Sequence, residues 1–417
     1  MNHSEQRTVL VSGASIAGPA LAHWLDHYGF RVTVVEKASA VRGGGYAVDI
    51  RGTARDAVDR MGLLDRLRAA HVDTRRLTFV DTEGEVIGVV RPEDLTGGEQ
   101  GQDLEVRRGD LADALYGAVR DRVEFLFDDS IATLRDDGDR VDVTFVHAGP
   151  RTFDLVIGAD GLHSHTRGLV LGPEEPYHRY LGYTFAGFTL PNDLGLSHEG
   201  VTWNAPGRAA VLYAHEPADR MHGFLTFARE TPPFDAFRDP GAQRDLVAAT
   251  FPERTWHIPR LVDALRSADD LFFDVVSQIH LPTWSRGRVA LAGDAAHATS
   301  FLSGQGSSVS LVGAYVLAGE LATHADHTDA FAAYERIMRP FAERNQALAG
   351  PGGTFVAPRT REMLDARNRV LRAASHMNCS ATIRSRTRAS PVARISRARV
   401  SVASASRSLW ARTWESR

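Results

Sequence analysis

The sequence predicts an α/β protein: a Rossmann-like domain, an antiparallel β-sheet domain interleaved with it, and C-terminal helices. Three observations predict it. Gly13-Ala14-Ser15-Ile16-Ala17-Gly18 joins a β-rich run to a helix pattern, and the next β-rich run ends at Glu36. The same device, an apolar run stopping at an acid beside glycine, recurs at Gly158-Ala159-Asp160-Gly161 and at Gly293-Asp294. Between 176 and 272 the pattern changes to alternating, aromatic-rich runs. The expected division is therefore 1–75, 100–175 and 273–345 for the nucleotide-binding domain. The β-sheet domain takes 76–99 and 176–272, a C-terminal helix 346–376, and a disordered basic tail 377–417.

Taken in order, Thr8 to Val11 reads as a strand and Pro19 to Tyr28 as a helix. Pro19 suits its first turn and Gly29 its stop. Arg31 to Val35 is the second strand. A strand–turn–helix–strand–acid unit of this kind sets a pyrophosphate on the helix N-terminus and an acid, here Glu36, on a ribose. Ser15 stands where the GxGxxG pattern has its middle glycine. Three glycines, Gly43-Gly44-Gly45, then suit backbone packing on a flat ring.

Ala54 to Ala70 has the period of one amphipathic helix. Residues 76–106 suggest strands with turns at Glu83-Gly84 and Thr96-Gly97-Gly98. Asp110 starts a helix through Val119, with Arg108 just before it and free to reach a phosphate. Three strands fill 123–146, Phe153 to Ile157 is one buried strand, and Leu162 to Arg167 begins a helix.

In the aromatic-rich region, Tyr180 to Leu190, Val201 to Asn204, Ala209 to His215 and Gly223 to Ala228 are strands. Tyr183, Phe185, Trp203, Tyr213 and Phe224 are the residues expected to face a flat apolar substrate. Ala242 to Phe251 and Arg260 to Ser267 are helical, and Leu271 to Ile279 returns to strand.

Val289 to Leu291 is a buried strand that leads through Asp294 and Ser303-Gly304-Gln305-Gly306 into a helix from Ser307 to Leu321. Gly304 and Gly306 let a ligand approach the backbone, and the helix points its unpaired N–H groups at it. Asp294 is placed to accept hydrogen bonds from a polyol. The socket suits something anionic that carries hydroxyls. A long helix over Asp329 to Ala349 is expected to kink or break at Pro340. Pro351-Gly352-Gly353 interrupts before a last helix to about Ala374.

The chain has 417 residues, enough for two cores, and a formal net charge of -4. The tail 377–417 holds nine arginines and one acid, a net +8, which leaves -12 for residues 1–376. So acidic a body is unsuited to nucleic acid. One cysteine, Cys379, excludes an intrachain disulfide, a thiolate metal cluster and a dithiol redox centre. Lys37 is the sole lysine. No apolar run approaches membrane-spanning length, and the N-terminus lacks a signal pattern. A cytoplasmic protein, monomer or homodimer, without metal, is the expectation.

With Gly13 to Gly18, Glu36, Arg108, Asp160-Gly161 and Gly293-Asp294 in this order, residues 7–345 resemble the flavoprotein aromatic monooxygenases. These are the para-hydroxybenzoate-hydroxylase-like enzymes, and the likeness is to their shorter, tetracycline-modifying members. The resemblance implies non-covalent FAD. Gly13, Ser15, Ile16, Ala17 and Gly18 would hold its pyrophosphate, and Glu36 and Lys37 its ribose end. Arg108, Asp160 and Gly161 would contact FAD, with Arg167 following the Asp-Gly pair. Asp294 would bind the ribityl region, and Gly44, Gly45, Gly304, Gln305 and Gly306 would lie beside the isoalloxazine. Where many relatives carry proline before the Ser-Gly-Gln-Gly run, this chain has Phe301 and Leu302.

The resemblance also implies NAD(P)H as a co-substrate without a second nucleotide fold. On the same resemblance, O2 would add at flavin C4a and the hydroperoxide would pass one oxygen to an aromatic or polyketide-like molecule, hydroxylation being the leading outcome. A phenolic substrate would need a base, and Tyr183, Tyr213, His215 and His222 all qualify by type. Trp256-His257-Ile258-Pro259 shares part of a flavin-halogenase signature, but Arg254 replaces its first tryptophan and no second lysine exists, so halogenation is excluded. A flavin-dependent reductase on the same scaffold and an idle, ligand-sequestering flavoprotein are the alternatives.

Overall fold

The computed structural model describes residues 6–41, 43, 45–92, 103–215 and 219–380. A six-stranded sheet runs in the order Ser285–Arg286, Val289–Leu291, Leu155–Gly158, Thr8–Ser12, Arg31–Val35, Glu124–Leu126. All its pairings are parallel except the first. Its central strand reads as an unbroken apolar run because both faces are covered. Val9 and Val11 pack with the helices Ala17–His27, Gly306–Thr323 and His327–Ala347. Leu10 faces a three-stranded meander, Ile131–Asp136, Val141–Phe145 and Arg151–Phe153.

A seven-stranded sheet is ordered Phe272–Ile279, His178–Pro191, Arg220–Ala228, Arg208–Ala214, Glu199–Ala205, Arg76–Val80, Val86–Val90. It is antiparallel except where Glu199–Ala205 joins Arg76–Val80. Helices Pro240–Thr250 and Ile258–Ser267 supply one face with Val247, Phe251, Leu261 and Leu265. The opposite face carries Tyr183, Phe185 and Phe224 together with Leu302 and Ala349. The hairpin Ala47–Ile50 with Leu104–Arg107 comes to the same region, since Tyr46 packs on that cluster.

Five expectations change. Ala54 to Ala70 is two helices, Thr53–Arg60 and Leu64–Ala69, parted where Gly62 takes φ 72°. Phe153 to Ile157 divides at Asp154 between two sheets. The Asp154 carboxylate accepts the Thr8 N–H and hydroxyl at 2.7 Å each, so the polar residue turns the chain from one sheet to the other. Pro351-Gly352-Gly353 lies inside a helix, Ala349–Val356, and a Cβ on Gly352 would stand 2.2 Å from the Leu302 carbonyl. Close packing there overrides the turn signal. Helix His327–Ala347 runs through Pro340 without a break, and the last helix, Arg361–Ser380, passes the expected end at Ala374. The turn at Thr96-Gly97-Gly98 and the rest of the tail lie outside the described residues. Among the described residues no helix is long and apolar enough to cross a membrane.

Candidate active site

The glycine loop leaves the first strand in a conformation that only small residues permit. Gly13 has φ 107°, and a Cβ there would lie 2.5 Å from the Ala159 carbonyl; one on Gly18 would lie 1.8 Å from the Gly13 carbonyl. No side chain caps the helix Ala17–His27, so its first N–H groups are left for a ligand. Ile16 and Ala17 are buried, and what they can offer is backbone. The Glu36 carboxylate accepts the Ala14 N–H at 2.8 Å and the Ala38 N–H at 3.0 Å, closing the loop on the second strand end. Lys37 beside it is exposed.

Ser15 has a partner that no spacing rule supplies. Arg108 donates from Nη2 to its hydroxyl at 2.6 Å, across 93 residues of sequence. The Arg108 N–H is held by the Tyr46 carbonyl at 3.0 Å, and a Cβ on Gly45, which has φ 91°, would lie 3.7 Å from the Arg108 Cβ. Gly44 lies outside the described residues.

Asp160 fixes its neighbouring backbone. Its carboxylate accepts the Ser164 hydroxyl and, at 2.9 Å each, the Thr166 N–H and hydroxyl, so it secures the start of helix His165–Leu171. Its backbone borders the glycine loop: the Cβ position on Gly13 is 3.0 Å from the Asp160 Cα. Gly161, at φ 88°, has open space where a Cβ would be. Arg167 is fully buried and donates to the Leu162 carbonyl at 2.8 Å, to the Ala295 carbonyl at 3.0 Å, and to Glu174. It thereby ties this motif to the next. Glu174 also bonds His163 Nδ1 at 2.8 Å, and His163 Nε2 lies 3.2 Å from Asp274. Burial works against charge on His163, but the two carboxylates outweigh it and raise its pKa to about 9.

Gly293, at φ 60°, brings the third strand end against the first helix, 2.7 Å from the Ala17 Cβ to its own Cβ position. Asp294 follows, exposed in a row where Ala292, Ala295 and Ala296 are fully buried. Yet burial pushes its carboxyl above the usual range, with Arg108 drawing it down and Asp274 pushing it up. Solvent reaches the group while protein surrounds it, which describes the floor of a recess.

Gly306 borders that floor, its Cβ position 3.9 Å from Asp294 Oδ1, and helix Gly306–Thr323 begins there with no side-chain cap from Gln305. Gly304, at φ 63°, faces Asp49 Oδ2 at 3.6 Å from its Cβ position. Asp49 is a site residue that sequence reasoning missed. Its backbone carbonyl accepts the Ser308 hydroxyl at 3.0 Å and its carboxylate pairs with Arg51 at 2.8 Å. A lone acid in the short run after three glycines is the signal that could have found it.

The aromatic wall differs from expectation in membership. Phe185, Tyr213 and Phe224 share the recess-facing side of the seven-stranded sheet, with Tyr213 stacked 5.9 Å from Phe224. Tyr183 is on that side too, but its hydroxyl donates to the Ala357 carbonyl at 3.0 Å and the Arg359 guanidinium lies 4.7 Å over its ring. Trp203 is removed from the set. It is 0% exposed on the opposite face, stacked 6.4 Å from Trp256 and packed in the helix-side core with Phe251. Neighbouring strand positions alternate between faces, and pattern alone does not say which face looks inward.

Three rings join instead: Tyr46, Phe272 and Phe301. At the far end, burial pushes the Tyr213 phenol far up, His215 down to about 3, and His222 below its usual value. These groups are uncharged hydrogen-bonders near neutral pH.

The chain is similar to flavoproteins over most of its length. The model of a family described as an FAD binding domain matches residues 6–177 and 273–349. An uncharacterized protein of Mycobacterium tuberculosis is 46% identical over 353 residues, spanning 83% of this chain and 94% of its own. A flavin-dependent monooxygenase of an unknown prokaryotic organism is 37% identical over 375 residues, covering 89% of this chain and 96% of that protein. Among solved structures, the tetracycline destructase Tet(55) superposes with a TM-score of 0.78 at 35% identity, over 89% of this chain and 98% of that one.

Proposed function

The chain belongs to the para-hydroxybenzoate-hydroxylase-like family of FAD-dependent monooxygenases, and from that premise we propose that it oxygenates a planar aromatic or polyketide-like small molecule, with NAD(P)H and O2 as co-substrates. FAD, when bound, supplies the reducing and oxygen-activating chemistry, and the chain supplies position and electrostatics. The observation that carries the reading is the recess itself. Two strand ends, at Gly13 and Gly293, and the turn at Gly304, all with positive φ, lie around a surrounded but solvent-reached Asp294.

In this reading Gly13, Ser15 and Gly18 hold the pyrophosphate, with Arg108 adding its charge beside Ser15. Glu36 takes the ribose hydroxyls and Asp294 the ribityl hydroxyls. Asp160 contributes through its backbone. Asp49 and Gly304 to Gly306 border the ring system, where the uncapped helix start favours negative charge. The neutral Tyr213, His215 and His222 receive an uncharged hydroxyl or carbonyl of the substrate, and the aromatic wall excludes water. The division into a nucleotide-binding part and a substrate sheet at 76–99 and 176–272 belongs to the same proposal.

The test is NAD(P)H consumption in air by FAD-loaded protein, with and without a panel of polycyclic phenols, reading products by mass. Stimulated consumption with one oxygen atom gained is the expected result. Hydrogens gained without oxygen would turn the reading to a reductase, and bound FAD that NAD(P)H cannot reduce would turn it to a sequestering flavoprotein.

A further inference from the structure

One ring in the aromatic wall does not come from the sheet. Phe301 belongs to a 3-10 turn, Phe301–Ser303, immediately before Gly304. Its ring lies 5.1 Å from Phe185 and 6.3 Å from Phe224, 15° from parallel with each, and Tyr46 meets it edge-on at 6.4 Å. These are the offset-stacked and edge arrangements that aromatic rings prefer. Phe185 and Phe224 are 4% and 8% exposed, whereas Phe301 is 39% exposed. It fills the slot from the open side.

The backbone that delivers this ring is strained. Ser300 has φ 81° and ψ 146°, a region that glycine alone occupies at little cost. Its neighbours are fastened. The Ser303 hydroxyl donates to the Ser300 carbonyl at 2.8 Å, the Leu302 N–H donates to the Ser300 hydroxyl at 3.1 Å, and Leu302 is packed on Gly352. Within the turn, the Phe301 side chain is held by ring contacts alone, and its own torsion is what can move it.

Resting on the reading of this face as the substrate wall, we propose that Phe301 is a plug, and that a planar aromatic ring of the substrate enters by exchanging places with it. The slot already accepts a phenyl ring in offset stacking, so a flat substrate ring recovers the contacts that Phe301 gives up. A saturated ring of similar bulk lacks the flat π-face and gains less. Beyond Phe224 the stacked Tyr213 and His222 continue the slot, 5.1 Å apart, so a second fused ring bearing a hydroxyl meets uncharged hydrogen-bonders. Because Phe301 and Gly304 share one turn, exchange is expected to register in the spectrum of a flavin bound beside that glycine.

The experiment is stopped-flow binding of 2-naphthol, and of its saturated analogue decahydro-2-naphthol, to FAD-loaded protein, following flavin absorbance. Phe301→Ala is expected to raise the 2-naphthol association rate about tenfold, because no ring then stacks on Phe185 and Phe224 ahead of the ligand, and to tighten binding. The analogue should bind more weakly than 2-naphthol to both proteins. Phe301→Leu, which keeps apolar bulk without a flat ring, gives the same direction and serves if the alanine variant loses FAD. Weaker binding in both variants, an unchanged association rate, or no binding of 2-naphthol by any of the three proteins overturns the plug. Oxygen insertion that is indifferent to Phe301 also overturns it while leaving the monooxygenase reading intact. If NAD(P)H fails to reduce the flavin but 2-naphthol exchange still depends on Phe301, the reading of function fails and the plug stands.

Discussion

The glycine-lined recess and the aromatic wall face each other and are built on opposite principles. The recess is made of backbone. At Gly13, Gly18 and Gly293 a single added carbon would come within 1.8 to 2.7 Å of another atom. The wall is made of side chains that stack at 5 to 6 Å and leave two rings, Phe272 and Phe301, more than a third exposed. One half of the site is thus held by steric exclusion with no alternative arrangement, and the other by many weak contacts that can be exchanged. A scaffold that keeps one cofactor and varies its substrate would be expected to divide its rigidity in this way.

The contrast can be broken most severely on the backbone side. Gly18→Ala puts a methyl group 1.8 Å from the Gly13 carbonyl. It is expected to cost about 3 kcal/mol, with a hundredfold or greater loss of FAD affinity. FAD retention after gel filtration and a urea melt measure both. Wild-type retention would show that the loop is softer than its geometry.

Within the wall, Trp203→Ala and Phe185→Ala should separate two kinds of aromatic residue. The first removes a fully buried core ring and is expected to lower stability by about 3–5 kcal/mol. Where the protein still folds, binding of 2-naphthol should change little. Phe185→Ala should show the reverse emphasis, a raised KM for an aromatic substrate at a smaller stability cost. A KM effect from Trp203→Phe, which keeps the fold, would place that residue back in the wall.

Arg108→Ala removes a charged donor from the Ser15 hydroxyl and the main positive neighbour of Asp294. FAD affinity is expected to fall about 10- to 100-fold by titration, and Ser15→Ala by less. Equal losses would mean that Arg108 acts wholly through the serine.

The smallest expected effect is a pH dependence. His163 is raised from 6.5 to about 9 in the folded protein. Its ion pairs with Glu174 and Asp274 therefore contribute stability that is fully present below pH 6.5 and is lost as pH rises through 9. The side chain is 38% exposed, so solvent screening keeps the contribution small. Urea midpoints at pH 6 and pH 9.5 should differ, and His163→Gln should flatten the difference.

Much of the recess is legible in the amino-acid sequence. A glycine after a strand, small residues opening a helix and an acid ending the next strand are local features, each with a local cause. What is not legible is long-range. Ser15 reads as a departure from the glycine pattern, and only the fold brings Arg108 to its hydroxyl. Asp160 reads as an acid that can fix nearby backbone, and only the fold shows that Ser164 and Thr166 are the groups it holds. Pro351-Gly352-Gly353 has the composition of a break, yet the approach to Leu302 needs those glycines inside a helix. Trp203 resembles its aromatic neighbours because alternation separates two faces without saying which one is covered by helices.

By itself the sequence determined the fold class, the three strand-end motifs and the family, because positive φ and close backbone approach restrict residue type at each position. The tertiary structure alone decided which aromatic rings share a face, which arginine meets which loop, and that Phe301 reaches back into the slot. Those depend on packing between segments distant in the chain, and no local rule of spacing encodes them.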